Sequence, residues 1–269
     1  MENLYGLANL MSVISRIIDR IIELLLQKPI GFLNEVICKK VVRIEGEKVY
    51  FHADNWITNY RVNTFFTKEP ETLDWLRDNL QDGDTFFDIG ANIGLYSIFA
   101  ATCRADVSIL AFEPEYSNLY ELKTNINLNR YWGRITPFSL AFDKQSGPSL
   151  LHIQDELSGA ALSSQSQERT EWTKSGKRVI FSEGIATYSL DEFCKQWRVN
   201  PTLIKIDVDG TEDLILAGGR KVLEDKGLRS ILIEVDEHTA SNCRLVLEES
   251  GFTFIRMHQG ENQIWERLG

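Results

Sequence analysis

The segment Phe86-Phe87-Asp88-Ile89-Gly90-Ala91-Asn92-Ile93-Gly94-Leu95-Tyr96-Ser97 constrains the fold more than any other, because an apolar run enters a glycine-bracketed turn and leaves it as a helix. In open α/β sheets such a turn stands at the carboxyl edge of a strand, where a crevice receives ligands and residues without side chains let backbone amides approach. Spacing narrows the choice of ligand. A dinucleotide fingerprint needs G-x-G-x-x-G to cradle a pyrophosphate on amides and a helix N-terminus. Here Asn92 stands between Gly90 and Gly94, and the central glycine is missing.

The next apolar run, Val107-Ser108-Ile109-Leu110-Ala111-Phe112, ends in Glu113-Pro114-Glu115. Glu113 is therefore expected at a strand's carboxyl end, where its two oxygens can accept both hydroxyls of a ribose, and charged acceptors make the stronger hydrogen bonds. An acid on the first strand, a small-residue turn and an acid closing the second together resemble the S-adenosylmethionine site of seven-stranded methyltransferases. Further along, Lys205-Ile206-Asp207-Val208-Asp209-Gly210-Thr211-Glu212, followed by Ala217-Gly218-Gly219, resembles the K-x-D-x-E-G-x-E signature of the FkbM methyltransferase family. Asp209 replaces the usual glutamate, which keeps the charge and shortens the reach. Thr187-Tyr188-Ser189-Leu190-Asp191-Glu192-Phe193 before this signature, Ile231-Leu232-Ile233-Glu234-Val235 after it, and Ser158-Gly159-Ala160 in the middle fall in the matching order. The resemblance runs from about residue 69 to the C-terminus. It implies a class I fold and S-adenosylmethionine-dependent O-methyl transfer, often onto a sugar or polyketide hydroxyl.

A chain of 269 residues can hold one large α/β domain with a small N-terminal addition. Its net charge of −10 repels phosphate backbones, so a nucleic-acid substrate would need a local basic patch that the sequence does not display. Cys38, Cys103, Cys194 and Cys243 have no short spacing between any two, which excludes a zinc knuckle or C-x-x-C pair and leaves reduced, packed thiols. No signal-peptide pattern opens the chain, and a cytoplasmic enzyme is expected.

Over residues 7–27, Leu10, Ile14, Ile17, Ile18, Ile21, Leu24 and Leu25 recur at helical steps with Arg16, Asp19, Arg20 and Glu23 between them. This pattern predicts an amphipathic helix whose charges rule out a membrane span. Its apolar face can pack on the catalytic domain or on a twin subunit, making a homodimer, or lie peripherally on a membrane, or take a separate partner. Residues 40–66 then alternate, with a β-hairpin around Glu45-Gly46-Glu47. Pro70 opens a helix that Asp82-Gly83-Asp84 stops. Strands are expected near 85–89, 107–112, 134–140, 203–206 and 230–235, and a hairpin from 252–256 and 263–265 around Gln259-Gly260-Glu261. The predicted whole is a Rossmann-like, mostly parallel seven-stranded sheet with an antiparallel C-terminal hairpin. An N-terminal helix and hairpin extension, 1–68, precedes a methyltransferase domain, 69–269. The polar stretch 147–187 is expected to have strands near 150–152 and 179–186, with a centre that is either a lid over the acceptor pocket or a surface excursion.

On this reading Gly90 and Gly94 make room for the cofactor, Asp88 meets its ammonium, and Asn92 either bonds it or tolerates a left-handed turn position. Asp143 follows the third strand where the resemblance places adenine recognition, and Ala141 and Phe142 are equivalent candidates there. Asp207 is the preferred acceptor-side acid, orienting a hydroxyl and taking its proton, with Lys205 stabilising developing charge and Glu212 beside them. Each has a plain reading too: Lys205 as an ion-pair partner inside the sheet, Asp209 as a cap, Glu212 as a first-turn helix charge. His238 is a candidate general base or an exposed helix-start residue. Glu234 and Asp236 invite a divalent metal, which is not the favoured reading, so no metal ligand is assigned. The acceptor is expected to be a small molecule, a glycan or glycosylated metabolite. Two rivals remain, an NAD-dependent oxidoreductase, which the turn spacing opposes, and a non-catalytic module with a remnant pocket.

Overall fold

In the computed structural model, which describes residues 16, 17, 20, 38–161, 164–166, 178–258 and 262–268, seven strands form one mixed sheet. In chain order these are β3 (Asp84–Ile89), β4 (Val107–Phe112), β5 (Ile135–Phe138), β10 (Leu203–Ile206), β11 (Ser230–Glu234), β12 (Thr253–His258) and β13 (Asn262–Glu266). Their order across the sheet is β12-β13-β11-β10-β3-β4-β5, parallel except for β13, which runs antiparallel to both neighbours. This is the class I methyltransferase sheet with its terminal hairpin. Chain order reverses at β3, between β4 and β10, and that switch point is where open α/β sheets bind ligands.

Alternation along each strand divides the interior into two cores. Phe86, Ile109, Ala111, Leu203, Leu232 and Ile264 enter one, packed with α2 (Pro70–Asn79), α3 (Leu95–Cys103) and α4 (Tyr116–Asn129). Phe87, Ile89, Leu110, Phe112, Ile204, Ile206, Ile231 and Ile233 enter the other, beneath α5 (Leu190–Trp197), α6 (Glu212–Ala217), α7 (Arg220–Glu224) and α8 (Ala240–Glu249). Buried polar pins fix the sheet edges. Trp75 Nε1 donates to Ser230 Oγ at 2.8 Å, and the Arg229 fork grips Asp84 at 2.8 and 2.9 Å. Burial alone would raise the Asp84 carboxyl, yet Arg229 and the Gln81 amide hold it below its ordinary value.

The chain divides into compact units at 40/41, upstream of the boundary expected at 68/69. The reason is packing: Ile44, Val49 and Phe51 of the hairpin β1 (Lys39–Ile44) and β2 (Glu47–His52) share the first core with Phe86 and Phe99. Between hairpin and α2 stands a helix that the alternation of 40–66 concealed, α1 (Trp56–Asn63). A capping box starts it, with Asn55 accepting from the Ile57 and Thr58 amides while Thr58 Oγ1 accepts from the Asn55 amide. Asn55-x-x-Thr58 was the missed signal. Of the first unit, Arg16, Ile17 and Arg20 are helical and exposed; the rest of the predicted amphipathic helix, and the turn 259–261, lie outside the described residues. No helix among the described residues is long and apolar enough to cross a membrane. The cysteines are all free, with Cys194 and Cys243 buried.

Together with β6 (Ala141–Phe142), which precedes it, the stretch from 147 builds a second, four-stranded sheet from β7 (Gly147–Ile153), β8 (Ser164–Ser166) and β9 (Phe181–Tyr188), in the order β6-β9-β7-β8. The two expected flanking strands are present as β7 and β9, which pair antiparallel.

Candidate active site

At the carboxyl edge of β3, β4, β10 and β11 lies a cavity of about 370 Å³. Gly90 and Asn92 after β3, Glu113 after β4, Asp207 and Asp209 after β10 and Glu234 ending β11 all line it. Phe112, Leu140, Ala141, Phe142, Leu151 and Ile215 give it an apolar end. The volume and the mixture of apolar wall with a few polar groups suit a nucleoside-sized ligand.

Glu113 is buried, and its carboxylate is aimed by the backbone: Oε2 accepts from the Asn92 amide at 2.8 Å and Oε1 from the Glu115 amide at 2.9 Å. Burial pushes it up to about 8 despite those two hydrogen bonds. Its neighbour Glu115 has another task, capping α4 by accepting from the Ser117 and Asn118 amides. Asn92 holds a left-handed conformation with φ of 50° and also donates through Nδ2 to the Ala160 carbonyl at 2.8 Å. The left-handed turn position expected of this residue is present, and its side-chain amide is engaged by the protein's own backbone.

The glycines serve the protein's own packing. Gly90 has φ of 79°, and a Cβ there would strike the Asp207 carbonyl oxygen; at Gly94, outside the cavity, it would strike Leu122 Cδ1. Gly90→Ala combines a disfavoured dihedral with a backbone clash, and should cost about 3 kcal/mol or more in chemical denaturation. A loss under about 1 kcal/mol would refute this reading.

Asp88 does not line the cavity. It pairs in register with Lys205 on the adjacent strand, fully buried, and accepts from Ser97 Oγ at 2.6 Å. Burial raises its carboxyl against the pull of Lys205. Lys205 is buried as well, donating to Asp207 Oδ2 at 2.6 Å with its ammonium 4.8 Å from the Tyr96 ring centroid. Desolvation opposes the ammonium, but Asp207, Asp88 and Glu69 outweigh it and the group is held above its ordinary value. Lys205 thus lies behind the site and acts on it through Asp207.

Asp207 and Glu234 face each other as a coupled pair. Burial opposes the Asp207 carboxylate, yet Lys205 and a hydrogen bond from Glu234 hold it well below the usual range. The charge of Asp207, with burial added, pushes the Glu234 carboxyl up to about 9.

The remaining expected site residues stand off the cavity. Asp143 accepts from Gln165 Nε2 at 2.7 Å, whereas its neighbours Ala141 and Phe142 line the wall. Buried Glu212 accepts from the Gly210 amide at 2.8 Å, shaping the loop that carries Asp209. His238 is exposed, its amide donating to Asp236, whose carboxylate caps that turn and also accepts from the Thr239 amide. The middle stretch supplies wall as well, through Leu151, Ala160, Ala161 and Gln165. Its Ser158-Gly159-Ala160 turn is held by Asn55, Arg61, Asn92 and Asn118. Arg61 and Lys68, absent from the sequence reading, line the cavity too. The helix signal at Asn55 would have drawn notice to Arg61.

Residues 88–258 match the model of the methyltransferase FkbM domain. The hexuronic acid methyltransferase AglP of Haloferax volcanii is 26% identical over 168 residues, 62% of each chain. The 31-O-demethyl-FK506 methyltransferase FkbM of Streptomyces tacrolimicus is 39% identical over 56 residues, 21% of this chain and 22% of that one. The match thus spans about three fifths of the first relative's length and about a fifth of the second's. The crystal structure of methyltransferase FkbM from Methylobacillus flagellatus KT aligns with 79% of this chain and 62% of its own, at 13% identity and a TM-score of 0.48. With the family model covering well over half of its length, the chain belongs to the FkbM methyltransferase domain family.

Proposed function

We propose that the protein is an S-adenosylmethionine-dependent O-methyltransferase that methylates a hydroxyl of a small molecule, a glycan or glycosylated metabolite. The observation that carries the reading is the Glu113 carboxylate, buried in the cavity wall and fixed by two backbone amides, with acceptor capacity left for two vicinal hydroxyls. Glu113 would hold the ribose, the apolar wall at Phe112, Ala141, Phe142 and Ile215 the adenine, and Gly90 and Asn92 the amino-acid portion. When bound, S-adenosylmethionine supplies an electrophilic methyl group. The chain's own part is positioning and proton handling. Asp207 orients the acceptor hydroxyl and takes its proton late, when the oxygen being alkylated has become strongly acidic, so a weakly basic carboxylate suffices. Glu234, protonated, holds Asp207 in place from the other side. The names of the two curated relatives, one a hexuronic acid methyltransferase and one a 31-O-demethyl-FK506 methyltransferase, support an oxygen-bearing small-molecule acceptor.

Calorimetric titration with S-adenosylhomocysteine, with NAD as the control ligand, tests the cofactor. Glu113→Ala should weaken S-adenosylhomocysteine binding about 10- to 100-fold, the worth of the charged hydrogen bonds lost. Saturable NAD binding in its place would sink the proposal.

The raised Glu113 also predicts a pH dependence. Below about 8 the carboxyl is protonated in the free protein and must lose that proton to accept both hydroxyls, so affinity falls as pH falls. Wild type should bind S-adenosylhomocysteine about tenfold more tightly at pH 9 than at pH 7, a difference that Glu113→Gln abolishes. An equal pH profile in both proteins would show that Glu113 does not titrate with binding. Transfer of labelled methyl onto a panel of acidic and neutral glycans then identifies the acceptor.

A further inference from the structure

The cavity wall is acidic, with Glu113, Glu115, Asp207, Asp209 and Glu234 all facing it. Two cations share that space, Arg61 and Lys68, and both also line an adjoining small pocket of about 30 Å³ bounded by Gly90, Asn92, Ile93 and Tyr96 and by the acids Glu69 and Asp207. They are not equivalent. The Lys68 ammonium is held by Glu69 at 2.5 Å. Arg61 is half-buried, donates through Nε to the Gly159 carbonyl, and makes no ion pair among the described residues. Anchoring Nε fixes the plane of the guanidinium, and the two terminal nitrogens keep their N–H groups for a planar, two-oxygen partner. Its charge reaches both Glu113 and Asp207. A guanidinium with its Nε anchored, lining both the main cavity and the small pocket beside the β3 turn, matches a ligand carboxylate.

We infer that Arg61 receives the α-carboxylate of the cofactor's amino-acid portion, with Lys68 adding charge at the same pocket. This rests on the S-adenosylmethionine reading above. It makes α1, a helix upstream of the matched family segment, part of the cofactor site. The acidic wall opposite suits the ammonium of the same zwitterionic end. A carboxylate on an acidic acceptor has the same chemistry, and the experiment separates the two sources.

The test is calorimetric titration of the full chain with S-adenosylhomocysteine and with its decarboxylated analogue, in wild type, Arg61→Met and Arg61→Lys. Wild type should prefer the carboxylate-bearing ligand by about 10- to 100-fold. Arg61→Met should erase that preference by weakening S-adenosylhomocysteine alone, leaving the analogue within about twofold, while Arg61→Lys, which keeps the charge and loses the fork, retains part of it. A preference that survives Arg61→Met overturns the assignment and gives the fork to an acidic acceptor. Equal weakening of both ligands by Met and Lys also overturns it, because Arg61 would then serve only to hold Gly159. Failure of folded wild type to bind either ligand would instead remove the S-adenosylmethionine reading, and the proposal with it.

Discussion

Asp207→Asn should lower methyl transfer by about 10²- to 10⁴-fold, the usual worth of a positioned acid–base group. S-adenosylhomocysteine binding should stay within about threefold of wild type, since the change removes a charge at the acceptor end and leaves Glu113 intact. The expectation comes from placement: Asp207 lines the cavity, Lys205 donates to it from behind and Glu234 donates from the side. The amide keeps the shape and loses the ability to take a proton. Single-turnover transfer measured beside ligand binding separates the two effects. Undiminished transfer would remove Asp207 from the chemistry, and the module without catalysis would gain if wild type transferred nothing to any hydroxyl acceptor.

Lys205→Met should destabilise the fold by about 3–5 kcal/mol, because it leaves the fully buried Asp88 and the half-buried Asp207 without their counter-charge. Asp88 is fully buried beside Lys205 in register, and Asp207 bonds it directly. The loss should depend on pH in a definite direction. With the ammonium gone, the Asp88 carboxyl is raised further above its unfolded value, and a carboxyl so raised favours the folded state when protonated. That contribution is present at low pH and vanishes as pH rises through the raised value. The Asp207 carboxyl, held low by Lys205 in the wild type, loses the stability it had contributed above its unfolded value. Urea denaturation should therefore show a larger deficit at pH 8 than at pH 5. A deficit independent of pH would mean that Lys205 matters for packing and not for charge.

Much of the site was legible in the sequence because backbone chemistry writes it there. An apolar run into Gly90 and Gly94, an acid stopped by Pro114 at a strand end, and a Lys-x-Asp pattern on a later strand are local signals, and local signals survive in one dimension. The side on which a strand residue falls was less legible. Asp88 sits one residue before Ile89, which lines the cavity, and Lys205 two residues before Asp207, which also lines it, yet both side chains are buried off the cavity and pair in register. His238 shared a strand-end neighbourhood with Glu234, but the Asp236 turn separates their roles.

The sequence by itself determined which segments form the strands of the main sheet and put Glu113 and Asp207 at strand ends, because periodicity, turn residues and strand-end acids act over a few residues. Only the tertiary structure decided that α1 brings Arg61 to the same cavity as Glu113, and that the Ser158-Gly159-Ala160 turn closes against Asn55, Asn92 and Asn118. The structure also decided that the Asp207 backbone leaves no room for a Cβ at Gly90. Those contacts join residues from about 40 to about 120 positions apart, where no local propensity reaches and only packing of the assembled sheet selects the partner.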